Sequence, residues 1–410
     1  MPSYSLYLHI PFCHHRCNYC DFNTYAGLED LIPDYVHALC RETMLLAESA
    51  GERLPVGTIF FGGGTPSLLP IPLLEQILAT INAGFDLLPD AEITLEANPG
   101  TLSLAYLLQL RALGVNRLSL GMQSAQPEEL RLLEREHDYG DVLGAVLWAR
   151  QAGFKNLNLD LIFGLPYQTV AAWENNLELA LRLDPDHLSL YALTLEHGTS
   201  LAHWVARGLL AEPDQDLMAE MYELASGRLE EAGFEQYEIS NWARRSGDNG
   251  LYQCRHNLQY WRNLPYLGIG AGAHGYAGGV RTANILAPAA YIQRCLAQVE
   301  QDRRQPFKFP LTPATVNAHP VDVPSEIGDT LMMGLRLTLE GVSRAAFLNR
   351  FGTPLESIYH VEIEKLIRQG LLEWADPEGG ASEGGASEGD RLRLTQGGRL
   401  LGNQVFIHFI

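Results

Sequence analysis

Cys13, Cys17 and Cys20 are spaced C-x3-C-x2-C directly after the apolar stretch Tyr4 to Ile10. Soft thiolates packed this tightly select zinc, copper(I) or iron–sulfur rather than hard cations. Four thiolates would complete a [4Fe–4S] cluster, and three leave one iron open to an outside ligand. Such an iron can hold the amino and carboxylate groups of S-adenosylmethionine (SAM), so that one electron from the cluster breaks the sulfonium and releases a carbon radical. Zinc is the alternative; it needs a fourth ligand, which His14 or His15 could supply. Their adjacency to Cys13 makes tetrahedral closure awkward. A disulfide framework fits poorly, because six cysteines in 410 residues are sparse.

The elements that must carry this loop alternate between two periods. Strand-like segments are expected at Tyr4–Ile10, Thr58–Phe61, Ala91–Glu96, Arg117–Leu120, Asn156–Ile162 and His187–Leu193. Helix-period stretches lie between them, at Ile32–Glu48, Leu73–Ala83, Leu104–Leu113, Asp141–Gln151 and Val170–Leu183. Repeated β/α units of this kind predict a parallel sheet with helices outside, open or curled into a barrel. Polar and glycine-rich signals follow the strands: Cys13–Cys20, Gly62–Pro66, Glu96–Pro99, Gly121–Ser124, and Asp160 with Gly164–Pro166. Chemistry on β/α barrels sits on that rim of the strands, so one shared site is expected.

Further along, a helix is expected over Asp214–Ala232, then a short segment Glu238–Trp242, a polar loop, the run His256-Asn257-Leu258-Gln259-Tyr260-Trp261 and a glycine-rich stretch Gly268–Gly275. Residues 1–300 read as the barrel and its extension, 301–325 as a linker, and 326–410 as a C-terminal α+β module. That module has helices at Glu326–Leu337, Ser343–Phe351 and Leu355–Gln369, two strands, Leu371–Trp374 and Arg391–Thr395, and a last helix, which is winged-helix-like. Between the strands, Asp376 to Asp390 contains Gly-Gly-Ala-Ser-Glu twice and reads as a mobile loop.

The formal charge of −20 argues against nucleic acid as a partner, since phosphate binding wants a basic footprint. It leaves room for an amphipathic small molecule or for a protein with a basic patch. No run approaches the roughly 18 apolar residues of a spanning helix. The first residues show no basic n-region or cleavage site, and an oxygen-sensitive cluster with mostly free thiols fits a reducing cytoplasm, so a cytoplasmic location is expected.

Tyr7-Leu8-His9-Ile10-Pro11-Phe12-Cys13, the cysteine spacing, Gly62-Gly63-Gly64-Thr65-Pro66 and the later strand ends together resemble radical SAM proteins. Within these, the chain resembles the oxygen-independent coproporphyrinogen III oxidase group and its sister branch, the haem chaperones, over nearly its whole length. The resemblance implies an α/β fold, a radical SAM partial (β/α)6 barrel with a C-terminal winged-helix-like module. It implies a [4Fe–4S] cluster on Cys13, Cys17 and Cys20, with SAM beside Tyr7, Gly63, Gly64, Thr65, Glu96, Gln123, Arg135 and Asp160. Taken alone, the glycines also suit a tight turn, and Arg135 a surface charge between Glu134 and Glu136.

Two features separate the branches. The oxidases carry a further cysteine two residues after the third ligand, where this chain has Phe22 in Cys-Asp-Phe-Asn. The run His256 to Trp261 matches the H-N-x-x-Y-W element of the haem chaperones, whose histidine is the proposed haem ligand. Read from residues alone, His256 equally suits a buried core histidine, and Cys254 is a second axial candidate or a spectator. The resemblance therefore implies a protein that binds haem, cluster and SAM and passes haem to an acceptor, respiratory or storage, with any membrane association peripheral and through that partner. The enzyme alternative is oxidative decarboxylation of two porphyrinogen propionates to vinyl groups; a third, radical modification of tRNA, shares only the cysteine spacing.

Overall fold

The computed structural model describes residues 3–245, 250–297, 307–376 and 389–410. The whole tandem Gly-Gly-Ala-Ser-Glu segment, residues 379–388, lies outside the described residues, and so does part of the polar loop. The chain forms two compact units, one of residues 1–228 with 265–320, the other of 229–264 with 321–410.

The first unit is built on six parallel strands: β1 (Tyr4–Ile10), β2 (Pro55–Gly63), β3 (Asp86–Ala97), β4 (Arg117–Gln123), β5 (Leu157–Phe163) and β6 (His187–Ala192). Each pairs in parallel with the next. Their connections carry α1 (Ile32–Ser49), α2 (Ile71–Gly84), α3 (Leu104–Ala112), α4 (Pro127–Leu132), α5 (Tyr139–Gln151) and α6 (Val170–Arg182). This is a (β/α)6 arrangement as a partial barrel, because β1 is flanked on its other side by a later strand.

One face of the strands is continuously apolar, with Leu6, Leu8, Ile59, Phe61, Leu95, Leu118, Leu120, Leu159 and Leu161 fully buried, while the alternate positions carry polar groups such as Glu96, Ser119, Asn158 and Asp160 on the other face. Helix starts follow from the sequence locally. Ser103 and Thr169 cap α3 and α6, and Asp138 with Asp141 forms a capping box on α5.

After α7 (Ser200–Ala206) and α8 (Gln215–Glu231), the chain makes two strands in the second unit, β7 (Phe234–Glu238) and β8 (Asn241–Arg244), where one segment over Glu238–Trp242 was expected. Antiparallel pairing with a bulge makes the turn between them too tight to read as a break. Helix α9 (Arg255–Trp261) follows. The chain returns to the first unit with β9 (Tyr266–Ile269), parallel to β1, and continues as the antiparallel run β10 (His274–Ala277), β11 (Val280–Asn284) and β12 (Thr315–Pro320), with α10 (Pro288–Ala297) between the last two. The glycine-rich stretch thus lies in a hairpin: a Cβ on Gly268 would meet the His274 carbonyl oxygen 1.9 Å away. Strand β12 occupies part of the stretch expected to be a linker.

In the second unit α11 (Val323–Gly334), α12 (Arg344–Phe351) and α13 (Glu356–Arg368) pack with a three-stranded sheet. Its strands are β13 (Val342–Ser343), β14 (Leu372–Ala375) and β15 (Arg391–Leu394), with β15 in the centre. Leu331, Leu335, Phe347, Leu366, Leu392 and Phe409 form its core, in a winged-helix-like arrangement. Two short helices, Gln396–Leu400 and Gly402–Phe406, stand where one was expected.

Candidate functional site

The cysteine loop leaves the end of β1 and is pinned by its own backbone. Phe12–Cys13 pairs with Tyr25–Ala26, Tyr25 N–H donates to the Pro11 carbonyl at 2.7 Å, and Cys20 N–H donates to the Cys17 carbonyl at 3.2 Å. Phe12 is fully buried and meets Tyr35 edge-on, with ring centroids 5.1 Å apart. The same end of β1 is braced by a buried cluster. The Tyr35 hydroxyl donates to the His9 carbonyl at 2.8 Å, while Glu42 accepts from Tyr291, Thr312, Asn284 and the Gly270 N–H. Burial raises the Glu42 carboxyl above its ordinary range, and these four donors oppose that shift.

The glycine loop after β2 is laced onto the cysteine loop: Gly64 N–H donates to the Ile10 carbonyl and Thr65 N–H to the Phe12 carbonyl, both at 2.8 Å. Here glycine is a steric necessity. A Cβ on Gly64 would stand 2.6 Å from the Phe12 carbonyl oxygen and 2.9 Å from Cys13 Sγ; one on Gly63, at φ +115°, would stand 2.6 Å from the His9 ring. Thr65 Oγ1 donates to Cys13 Sγ at 3.6 Å. Arg135 reaches Cys17 Sγ at 3.6 Å, donates to the Gly121 carbonyl at 3.0 Å and to Asn98 Oδ1, and leaves its Nε without a partner. It lies in the loop after α4 with its head turned inward, and the surface-charge reading does not hold for it.

A cavity of about 350 Å3 is lined by the three cysteines, Gly63, Gly64, Thr65, Glu96, Gln123, Arg135 and Asp160. These residues come from the C-terminal ends of β1 to β5 and the loops beyond. Tyr7 lies beneath, its hydroxyl donating to His9 Nδ1 at 3.0 Å, while His9 Nε2 faces the Asn23 carbonyl. Gln123 ends β4 past a register shift and at φ +61°, a bulge that re-aims the strand end. Sequence reasoning passed over Asn98, Ser119 and Asn158, and also Tyr19 and Tyr191, which line the cavity. Strand period was a signal for Asn158, two residues before Asp160 on the same face.

Electrostatics inside the cavity are unusual. Gly63 N–H donates to Glu96 at 3.1 Å, yet burial and the nearby Asp160 push the Glu96 carboxyl up to about 8. Asp160 is also raised by burial, against hydrogen bonds from Ser119 at 3.0 Å and Asn158 at 2.8 Å. Two buried carboxyls in one cavity make a wall that gains by receiving a cation. Burial pushes the Cys13 thiol up to about 11, so a metal must displace its proton. Among the described residues no three His, Cys, Asp or Glu side chains converge as around a single ion. A cubane takes each thiolate on a different iron. The donor set, the glycine cradle and the cation-accepting wall fit a cluster with SAM beside it.

His256 lies in the second unit, on α9. It is 1% exposed, and its Nε2 shares a 2.7 Å hydrogen bond with the Tyr260 hydroxyl, the rings edge-on. Cys254, also buried, donates its N–H to the Tyr237 hydroxyl at 3.2 Å.

The model of the radical SAM superfamily matches residues 7–180, and that of the HemN C-terminal domain residues 326–376. The protein named heme chaperone HemW of Bacillus subtilis (strain 168) is 36% identical over 407 residues, covering 99% of both chains. The heme chaperone HemW of Escherichia coli (strain K12) is 37% identical over 92% of this chain and 93% of its own. The solved structure of coproporphyrinogen III oxidase (HemN) from Escherichia coli superposes with a TM-score of 0.79 at 24% identity, over 99% of this chain and 90% of that one; this likeness speaks for the fold.

Proposed function

The chain belongs to the haem-chaperone branch of the radical SAM superfamily, and from that premise we propose that it binds haem, a [4Fe–4S] cluster and SAM and hands haem to an acceptor protein. The observation that carries this reading is the full-length relationship to proteins named heme chaperones, together with Phe22. Phe22 is 63% exposed on the rim of the cysteine cavity, where the oxidases place a further cysteine.

Cys13, Cys17 and Cys20 would hold the cluster, which supplies one-electron chemistry when bound. Thr65 and Arg135 already point hydrogen-bond donors at two of these sulfurs. Such donors stabilise thiolates over thiols. Gly63, Gly64 and Thr65 would offer close-lying backbone to the methionine end of SAM. Glu96 and Asp160 would face its cationic and hydroxyl groups, Gln123 would reach it from the bulge of β4, and Tyr7 would support the floor. His256 is the residue that the family resemblance assigns to haem iron; in the fold its Nε2 is engaged by Tyr260. The acceptor would be a respiratory or storage protein, met in the cytoplasm or at a membrane surface. No helix among the described residues is long and apolar enough to cross a membrane.

Oxygen-independent decarboxylation of coproporphyrinogen III is the enzyme alternative. The test is anaerobic reconstitution followed by incubation with coproporphyrinogen III, SAM and a reductant, with haem titrated into a parallel sample. Saturable haem binding without protoporphyrinogen is the expected result. Stoichiometric or better decarboxylation would establish an oxidase instead.

A further inference from the structure

Each of the three cysteine sulfurs has a side-chain hydrogen-bonding group beside it. Thr65 Oγ1 meets Cys13 Sγ at 3.6 Å, the Arg135 guanidinium meets Cys17 Sγ at 3.6 Å, and Thr24 Oγ1 meets Cys20 Sγ at 3.8 Å. Thr65 and Arg135 also belong to the set expected beside SAM. Thr24 does not, and SAM binding gives its hydroxyl no task.

Thr24 is buried, and the chain around it fixes where it points. Its own N–H donates to the Phe22 carbonyl and that of Tyr25 to the Pro11 carbonyl, both at 2.7 Å. Asn23 straps the same limb of the loop to the segments just past β9 and β11. Its Nδ2 donates to the Ala271 carbonyl at 3.1 Å and the Leu286 carbonyl at 2.9 Å, and its Oδ1 accepts from the Tyr25 hydroxyl at 3.1 Å. Gly272 leaves room for this amide, which a Cβ there would strike. A hydroxyl carried on backbone held this firmly is in place before any iron arrives.

A thiol and a hydroxyl can each donate to the other. A thiolate on iron can only accept, so in the loaded site the hydroxyl is the donor. Donors to cluster sulfurs favour the more negative, reduced state and so raise the reduction potential.

We propose that the Thr24 hydroxyl donates a hydrogen bond to the Cys20 thiolate of the bound [4Fe–4S] cluster and raises the reduction potential of that cluster. This rests on the reading of the three cysteines as cluster ligands and adds to it a residue that sets how readily the cluster accepts its electron. Because it acts through Cys20, Thr24 is a positioning residue.

The experiment is an anaerobic redox titration of the reconstituted full chain without SAM, with dithionite as the one-electron reductant. The electron paramagnetic resonance of the reduced cluster reports the midpoint for the wild type, Thr24→Val and Thr24→Ser. Iron and sulfide content and the thermal midpoint check that each variant loads and folds. Thr24→Val keeps the shape of the side chain without its hydroxyl, and its potential is expected to be more negative than that of the wild type. Thr24→Ser keeps the hydroxyl and should return to the wild-type value. Equal potentials in the loaded wild type and Thr24→Val overturn the proposal while leaving the cluster reading intact. A Thr24→Ser shift as large as that of Thr24→Val overturns it too, since shape and not the hydroxyl would then be responsible. If Thr24→Val does not load, Thr24→Ala set against Thr24→Ser makes the same comparison. Failure of all three variants to load assigns Thr24 to building the loop and overturns the tuning role. A wild type that takes up no iron and sulfide removes the cluster reading itself, a separate failure.

Discussion

Glu96 shows how much one side chain can be shaped by its surroundings. Its carboxyl is held up to about 8 by burial and by Asp160, so between about pH 4.5 and 8 the folded chain binds a proton that the unfolded chain has released. Stability without ligand should therefore fall as pH rises across that window, by at most about 1.4 kcal/mol per pH unit from this one group. In Glu96→Gln the slope should flatten, as read from denaturant midpoints at several pH values without SAM. An unchanged slope would place the proton elsewhere. At the same scale, Gly64 was legible as a glycine wanted for close approach. That the approach is to Phe12 and to Cys13 Sγ became visible only once two loops distant in sequence were side by side.

At the scale of elements, the sheet carries the site by ending six strands at one rim. The parallel strands expected from apolar runs are present, β1 over the same residues Tyr4–Ile10. Residues passed over were those whose role is to hold others. Asn158 donates to Asp160 and to Ser119 and accepts from His187 and Ser189, a junction spanning β4, β5 and β6. Helix α5 begins two residues beyond His137, which lines the larger cavity. Its start is set by the Asp138 and Asp141 box, both bonds 3.0 Å. Asp138→Ala should cost about 1 kcal/mol, measured as a lowered denaturant midpoint. Cluster content should stay unchanged, because the cysteine loop is pinned by other bonds. Loss of iron in this variant would tie α5 to the site more directly than its hydrogen bonds do.

Across the whole molecule the surface charge, −20 from 49 acidic and 29 basic residues, works against any polyanion. Bulk tRNA should give no gel shift at physiological salt. A shift that weakens steeply with added salt would revive the RNA-modification reading set aside on charge. The same charge suits an acceptor that presents a basic face.

Strand and helix periods, turn glycines and the tight C-x3-C-x2-C spacing are local properties, and local chemistry was enough to predict an α/β chain with its polar signals at one end of the strands. The family resemblance rested on the same short runs. What tertiary structure alone decided was where each polar group is aimed and how much water it keeps. Arg135 and Glu134 are neighbours in sequence, yet one turns inward to Cys17 and Asn98 while the other meets exposed His15. His256 and His14 are equally plain as histidines, and packing buries the first while leaving the second open. Burial and hydrogen-bond partnership are sums over residues far apart in the chain, so no window of sequence contains them.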